Sequence, residues 1–305
     1  MSLRELVVLG TSSQVPTRYR NHNAYLLRWD EEGFLFDPGE GTQRQFILAE
    51  VAASAITRIC ITHFHGDHCL GLAGIVQRLS LDKVAHEVHC YYPGSGQGYF
   101  ERLRRASIYQ GHVSLKAHPL EAPGLVFENR KIELRSAKLQ HGVDTYGYRL
   151  QERDDCTMLP EKLAELGVKG PAIGQLKRDG WIELDGRTIR LDEVSVEKKG
   201  QSMAFVMDTR LCDSCFELAK DVDLLVCEAT YLSSEEREAR EHGHMTAAQA
   251  ARLAAECGVR QLVISHFSQR YPSASAFLAE AQAIFPATIA ARDLERVVVP
   301  RRSKE

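Results

Sequence analysis

The 305-residue chain has no continuous apolar stretch of the roughly 20 residues needed to cross a bilayer, which excludes a membrane-spanning protein. Its opening, Met1-Ser2-Leu3-Arg4-Glu5-Leu6-Val7-Val8-Leu9-Gly10, holds an apolar run too short and too soon broken by charge for a signal-peptide core, so a cytoplasmic location is expected. Internal repeats and low-complexity tracts are absent. Neither sign of charge dominates: 38 Lys and Arg stand against 41 Asp and Glu, a formal net charge of -3. That balance carries no global signature of nucleic-acid binding, although a local patch fits within it. With 44% hydrophobic and 26% charged residues, the chain falls outside collagen-like and disordered classes. It is long enough for one large core.

The eight cysteines lack the spacing of a disulfide framework or a zinc finger. Most sit inside apolar runs such as Ile59-Cys60-Ile61, where a reduced cysteine acts as a small buried hydrophobe. Cys212-Asp213-Ser214-Cys215 is a C-x-x-C with no second pair and no spaced His pair, a weak signal for zinc or redox chemistry.

What is present alternates. Short runs rich in Val, Leu, Ile and Phe, bounded by Gly, Pro and Asp, predict strands at 3–9, 24–29, 33–36 and 58–62. Further strands are expected at 87–92, 131–139, 145–150 and 201–207. A helical period runs from His68 to Leu81. Strands at 223–227 and 259–265 then alternate with helices at 246–257 and 273–284. Thr246 with Gln249 fits a capping box. Strands in both halves with helices outside predict a layered α/β sandwich. Residues 151–193 break this rhythm with Gly-Pro and Asp-Gly turns and read as an inserted, flexible arm. On composition alone it is equally a polar surface excursion. One sandwich of about 260 residues with an arm of about 40 then accounts for residues 1–305 as a single domain.

The sharpest motif is Thr62-His63-Phe64-His65-Gly66-Asp67-His68, directly after an apolar strand. Imidazole and carboxylate are the ligands zinc favours, and such a cluster cannot be buried without partners. In such a loop His63 and His65 can face one ion while Asp67 and His68 turn toward a second. Two ions need more ligands, and three strands end on one each: His141, Asp208 and His266. Asp208 can bridge, because a carboxylate offers two oxygens. His86, His89, His112, His118 and His242 have no comparable context, and His22 lies in a polar loop.

From Glu5 to about Val299 the chain resembles the metallo-β-lactamase superfamily and, within it, the ribonuclease Z family. The resemblance rests on the His cluster, on Phe36-Asp37-Pro38-Gly39-Glu40-Gly41-Thr42-Gln43, on Cys227-Glu228-Ala229-Thr230, on Gly243-His244-Met245-Thr246, and on Ser265-His266-Phe267-Ser268-Gln269-Arg270-Tyr271. It implies a four-layer αβ/βα sandwich and two Zn²⁺ per subunit, with Mn²⁺ as a substitute. One ion would be held by His63, His65, His141 and Asp208, the other by Asp67, His68, Asp208 and His266. It further implies that Asp67 orients a hydroxide and that His244, held by Glu228, donates a proton to the leaving oxygen. Cys227 stands where the family motif usually has His. Ala291-Arg292-Asp293-Leu294 matches a late Ala-x-Asp element only loosely and is assigned no catalytic role.

Substrate recognition is expected from two features. Pro16-Thr17-Arg18-Tyr19-Arg20-Asn21 resembles the family's loop beside the active site, with Arg18 where many members carry Lys; Arg18, Arg20 and Arg270 are candidate RNA contacts. The arm resembles an exosite that grips tRNA, with Lys162, Lys169, Lys177 and Arg178 as candidate phosphate contacts. The resemblance therefore implies an endoribonuclease that removes the 3′ trailer of precursor tRNA and acts as a homodimer. A small-molecule metallohydrolase on the same fold would leave the loop, the Glu228 motif and the arm unexplained. A non-catalytic, metal-stabilised RNA-binding protein would leave the complete ligand set unexplained.

Overall fold

In the computed structural model, which describes residues 3–302, the apolar runs assemble into two seven-stranded sheets. The ends of the expected 1–305 domain, residues 1–2 and 303–305, lie outside the described residues. The first sheet places its strands in the order Arg296–Val298, Arg4–Gly10, Ala24–Trp29, Glu32–Phe36, Arg58–Cys60, Val88–Pro93 and Leu115–Leu120. The second runs Thr288–Ala290, Gln261–Ser265, Leu224–Glu228, Ser202–Val206, Tyr146–Glu152, Ile132–Lys138 and Gly124–Glu128. In each sheet antiparallel hairpins occupy one part and parallel crossovers the other: Glu32–Phe36 pairs parallel with Arg58–Cys60, and Ser202–Val206 parallel with Leu224–Glu228.

Alternation along each strand explains the layers. Leu6, Val8, Tyr25, Leu27, Phe34 and Phe36 of the first sheet meet Tyr148, Met203, Phe205 and Val226 of the second in a shared core. Phe205 sits at its centre, stacked on Phe36 at 4.6 Å and edge-on to Tyr25 at 5.3 Å. The intervening residues Val7, Leu9, Leu26, Leu35 and Ile59 face the helix Leu72–Leu81. On the far side Val206, Leu225, Cys227 and Ile264 face the Ala-rich helix Ala247–Glu256. Three parallel cores between four layers make the αβ/βα sandwich. Each fully buried Leu, Val or Phe contributes about 1.5–3 kcal/mol. No helix among the described residues is long and apolar enough to cross a membrane.

Two local features differ from the periodicity. The helix expected over 68–81 is two helices, Gly66–Cys69 and Leu72–Leu81, separated at Gly71. A Cβ on Gly71 would come within 1.9 Å of the Gly39 carbonyl oxygen, so this close approach packs the Asp37-Pro38-Gly39 turn against the histidine loop. Strands Leu115–Leu120 and Gly124–Glu128 were not legible, because their side chains are mostly half-exposed and carry no clean apolar period.

By contact the chain divides into a body, to Gln151 and from Ser202 to Arg301, and a second unit over Glu152–Gln201. The second unit has its own core of Leu163, Val168, Leu176, Ile182, Ile189 and Val194. Asp155–Met158 pairs antiparallel with Ser195–Lys198, so the unit extends past residue 193. Between these strands lie helices Pro160–Glu165 and Pro171–Asp179 and the hairpin Trp181–Leu184 with Arg187–Arg190. Both helices begin with Pro, which fixes φ and gives up no internal hydrogen bond there. The apolar residues are spread singly through polar text, and only the fold gathers them.

Candidate metal centre

Four strand exits converge on one place. The loop after Arg58–Cys60 brings His63, His65, Asp67 and His68; His141 follows Ile132–Lys138, Asp208 follows Ser202–Val206, and His266 follows Gln261–Ser265. Asp37, Asp208 and His266 all adopt left-handed backbone, with φ of 46°, 51° and 63°. Non-glycine residues seldom adopt it, and such conformations concentrate where surrounding structure must aim a side chain.

The donor atoms form overlapping groups. His63, His65, His141 and Asp208 offer one ligand atom each, all within 4.8 Å of one another. Within it His63 Nε2 lies 2.9 Å from His65 Nδ1 and 3.6 Å from Asp208 Oδ2, and His141 Nε2 lies 3.3 Å from His65 Nδ1. Asp67, His68 and His266 form a second group, with His68 Nε2 3.2 Å from His266 Nε2 and 3.4 Å from Asp67 Oδ2. Asp208 stands between them, its Oδ2 3.3 Å from His68 Nε2 and its Oδ1 3.2 Å from His266 Nε2. A tetrahedral ion with bonds of about 2.0–2.2 Å needs donors about 3.3–3.5 Å apart, so both groups have the right dimensions for a small divalent cation.

Two further observations test that fit. Asp208 Oδ1 is buried and, despite its nearness to His266, receives no hydrogen bond of acceptable geometry, which leaves a lone pair for a cation. Burial and the neighbouring imidazoles hold the pKa of His63 well below its usual value, keeping it in the neutral form that ligates. His68 goes the other way: burial alone would lower it, but Asp208, Asp67 and Asp37 outweigh that and hold its proton. A metal ion here would replace that proton. For Asp67 and Asp208 burial would raise the pKa, and the facing imidazoles reverse it, so both stay ionised.

Three of the donor imidazoles are also held from behind. His68 Nδ1 donates to Asp37 Oδ2 at 2.8 Å, and the Asn23 carboxamide packs 3.1 Å from the same ring nitrogen. Asp37 is itself tied to the Thr62 backbone N–H and hydroxyl. His141 Nδ1 donates to the Gly243 carbonyl at 2.9 Å, and His266 Nδ1 to Thr230 Oγ1 at 2.9 Å. These partners fix which ring nitrogen faces the centre. Gly243 has φ of 79°, and a Cβ there would come within 2.9 Å of His141 Nδ1. Asp67 Oδ2 accepts from the Gln14 backbone N–H at 2.7 Å, which ties the 12–21 loop to the centre.

His244 and Glu228 lie together at the edge of the centre. His244 Nδ1 is 3.0 Å from Glu228 Oε1, and the His244 ring shares a donor group with Asp208 and His266. Glu228 is fully buried and also accepts from the backbone N–H groups of Thr209 at 2.6 Å and Met245 at 3.0 Å, and from Thr230 Oγ1 at 2.7 Å. Burial alone would lower the His244 pKa, but the Glu228 and Asp208 carboxylates push it up to about 9. Cys227, one residue away, points into the helix-side core, so its replacement of the motif's usual His leaves every hydrogen bond of Glu228 intact.

The candidate RNA contacts divide. Arg18 is exposed, and its guanidinium lies 5.8 Å from the Tyr19 ring; Arg270 is exposed over Tyr231 at 5.0 Å. Arg20 is instead half-buried, donates to the Tyr271 carbonyl and lies over Phe267, so it braces the loop from inside. In the 152–201 unit the four candidate cations, Lys162, Lys169, Lys177 and Arg178, are exposed. Lys162 pairs with Glu165 at 3.0 Å and Lys177 with Asp155 at 2.9 Å. Lys169 and Arg178 have no ion-pair partner among the described residues. His22, His86, His89, His112, His118 and His242 lie outside all three donor groups.

Asn23 and Gln14 escaped the sequence reading, and so did a third supporting residue. Asp293, in the loosely matched Ala291–Leu294 stretch, accepts from the Asn21 N–H at 2.6 Å and from Thr11 Oγ1 at 2.8 Å. Burial raises its pKa to about 6. It anchors the far end of the Pro16–Asn21 loop, a role without a local pattern because its partners lie some 280 residues upstream.

Residues 17–156 match the metallo-β-lactamase superfamily, and residues 185–267 a β-lactamase superfamily domain. The chain is 56% identical to ribonuclease Z of Nocardia farcinica over 304 residues, covering 99% of this chain and 100% of that one. It is equally 56% identical to ribonuclease Z of Streptomyces coelicolor, with the same coverage, and 50% identical to that of Chlamydia caviae over 99% of this chain and 98% of that one. The fold is similar to that of the short form of human tRNase Z, with a TM-score of 0.72 and 24% identity over 97% of this chain and 99% of that one. Full-length identity of this order, together with the donor set at the strand exits, establishes that the chain belongs to the ribonuclease Z family of the metallo-β-lactamase superfamily.

Proposed function

We propose that the protein is an endoribonuclease that removes the 3′ trailer from precursor tRNA and leaves a 3′-hydroxyl, acting in the cytoplasm as a homodimer with two Zn²⁺ per subunit. The observation that carries this reading is the end-to-end similarity to ribonuclease Z relatives combined with seven donors gathered at one site. His63, His65, His141 and Asp208 would hold one ion, and Asp67, His68, Asp208 and His266 the other. When bound, such ions lower the pKa of water toward neutrality and neutralise phosphate charge.

The chain's own groups do the rest. Asp67, ionised and oriented by the Gln14 N–H, keeps an acceptor at the centre for the proton of an attacking water. His244 carries a proton at neutral pH, with Nδ1 fixed by Glu228, so Nε2–H is the group that can protonate the leaving oxygen. Arg18 and Arg270 flank the site as exposed cations for backbone phosphate, and Arg20 braces their loop. The 152–201 unit supplies Lys169 and Arg178, with Lys162 and Lys177, as contacts to the tRNA body. The cytoplasmic homodimer rests on the family resemblance.

Purified protein with zinc or manganese, incubated with a precursor tRNA bearing a 3′ trailer beside a thioester and a β-lactam, tests the reading. Cleavage of the RNA alone, at the trailer junction, is expected. Turnover of the small substrates with intact RNA would establish a small-molecule hydrolase instead. RNA bound but uncut would establish a binding protein. Deleting 155–198 and joining Asp154 to Lys199, which already pair at 2.8 Å, should remove tRNA cleavage and spare a small phosphodiester.

A further inference from the structure

Five of the eight cysteines, Cys60, Cys69, Cys90, Cys227 and Cys257, are buried in apolar layers as the sequence suggests. Cys212 and Cys215 differ from these. Their Sγ atoms lie 3.5 Å apart, and no other pair of cysteine sulfurs is in contact among the described residues. The two residues share one turn, in which the Cys215 N–H donates to the Cys212 carbonyl at 2.9 Å. A disulfide needs sulfurs at about 2.03–2.05 Å, so rotation of the two side chains suffices to close the gap. Exposure is asymmetric: Cys212 is half-buried and Cys215 fully buried. An exchange-active pair has this arrangement, with one sulfur that a small molecule can reach and a second shielded behind it.

We propose that Cys212 and Cys215 form a reversible disulfide, a thiol-redox modification site of this chain whose chemistry is separate from the reaction at the metal centre. The oxidant is a small-molecule disulfide of the glutathione class. The Cys212 thiolate attacks one sulfur of that disulfide, forms a mixed disulfide and releases one thiolate. Cys215 then loses its proton and attacks Cys212 Sγ, breaking the mixed disulfide and releasing the second thiolate. Both released thiolates take up protons, so two protein thiols are oxidised to one cystine while one small disulfide is reduced to two thiols. The local chemistry favours this order. A hydrogen bond with Cys215 pushes the Cys212 thiol down to about 6, and the same bond with burial pushes Cys215 up.

Closure would also be felt beyond the pair. Reduced Cys215 has one hydrogen to give, and it is shared between Cys212 Sγ at 3.5 Å and the Arg210 carbonyl at 3.7 Å. A disulfide sulfur has none. Arg210 N–H donates to the Gln140 carbonyl at 2.9 Å, and Thr209 Oγ1, 3.8 Å from Cys212 Sγ, accepts from the Gln140 N–H at 3.0 Å. Oxidation therefore loosens the turn that joins the exits of two strands.

The test uses the full chain in mixtures of oxidised and reduced glutathione, quenched with acid, alkylated and read by peptide mass. The Cys212–Cys215 disulfide should accumulate as the oxidised share rises and revert with dithiothreitol, while Cys60, Cys90 and Cys227 remain thiols. Cys215→Ser should stop at a glutathione adduct on Cys212. Amide exchange at Arg210 should rise about threefold or more on oxidation, the sign of local opening. The proposal is overturned by alkylation of both residues at every ratio, by oxidation of Cys156 in their place, or by a disulfide that leaves Arg210 exchange unchanged. None of these readouts depends on catalysis.

Discussion

At the metal centre, donors from four separate segments meet at the ends of strands in two packed sheets, and five of the seven are buried. In the 152–201 unit the charged groups sit on the outside of a six-residue apolar core and form exposed ion pairs within the unit. The centre therefore borrows its rigidity from the whole body, and a lost donor there cannot be replaced by a shifted neighbour. The unit has a small core of its own, and its candidate cations lie exposed on the surface. The two regions should fail differently when altered.

The largest effect is expected at Asp208, which belongs to the first donor group and lies 3.3 and 3.2 Å from His68 and His266 of the second. Asp208→Ala should lower cleavage by about 10³-fold or more, because charge stabilisation at a metal-assisted phosphoryl centre accounts for several kcal/mol of barrier. Bound metal, read by elemental analysis, should fall with it. Compared metal-free, the variant and wild type should differ little in thermal stability, since the body's three cores are untouched. An Asp208→Ala protein that keeps both its metal and its activity breaks the assignment of a shared ligand.

Glu228→Gln comes next and separates proton transfer from metal holding. Metal content should stay at the wild-type level, while activity falls by about 10²–10⁴-fold, the usual contribution of a positioned general acid. The pH profile gives the sharper reading. Glu228 and Asp208 raise the His244 pKa to about 9, so the protonated ring persists through neutral pH and is lost as pH rises through that value. Removing the Glu228 charge lowers the pKa, so the alkaline limb of the activity profile should move to lower pH. An unmoved limb with lowered activity would mean that Glu228 acts by packing alone.

The same contrast explains what could be read in the sequence. The seven residues of the first two donor groups were legible as candidates, because each stands after an apolar strand and four share one short loop. Their partners were legible only where they fell inside a motif, as Asp37 and Glu228 do. Asn23, Gln14 and Asp293 were not, since their roles come from chain segments that meet only after the sheets have packed. Arg20 reads like Arg18 in the text, yet folding turns one guanidinium inward to the Tyr271 carbonyl and leaves the other in solvent. The core of the 152–201 unit was hidden for a related reason. Leu163, Leu176, Ile182 and Ile189 follow no single period, because two helices and a hairpin each contribute only one or two side chains to it.

Leu176→Ala tests whether that core holds the unit alone. Truncating a fully buried Leu costs about 2–5 kcal/mol, which is large against six apolar residues. Amide exchange should rise across 155–198 and stay unchanged at 58–68. Precursor tRNA cleavage should fall about tenfold or more through KM, if phosphate contacts in the unit supply binding. Hydrolysis of a small phosphodiester should be unaffected. A rise in exchange that spread to the metal loop would mean that the two regions share their stability.

The smallest effects distinguish cations within the unit. Lys162 and Lys177 already have carboxylate partners at 3.0 and 2.9 Å, whereas Lys169 and Arg178 have none among the described residues. Such exposed pairs are worth little to stability, about 0–1 kcal/mol, so none of the four substitutions should move the melting temperature noticeably. RNA affinity is different, because a lysine that neutralises a phosphate releases a counterion. Its loss should reduce the slope of log K against log salt by about 1. Lys169→Ala and Arg178→Ala should each weaken tRNA binding several-fold and flatten that slope. Lys162→Ala should do less, since its ammonium must leave Glu165 before it meets phosphate and the freed carboxylate then repels the RNA. Equal slopes for Lys169→Ala and Lys162→Ala would show that the ion pairs dissolve at no cost on binding, and the unit's charge would then act as a field with no single cation distinguished.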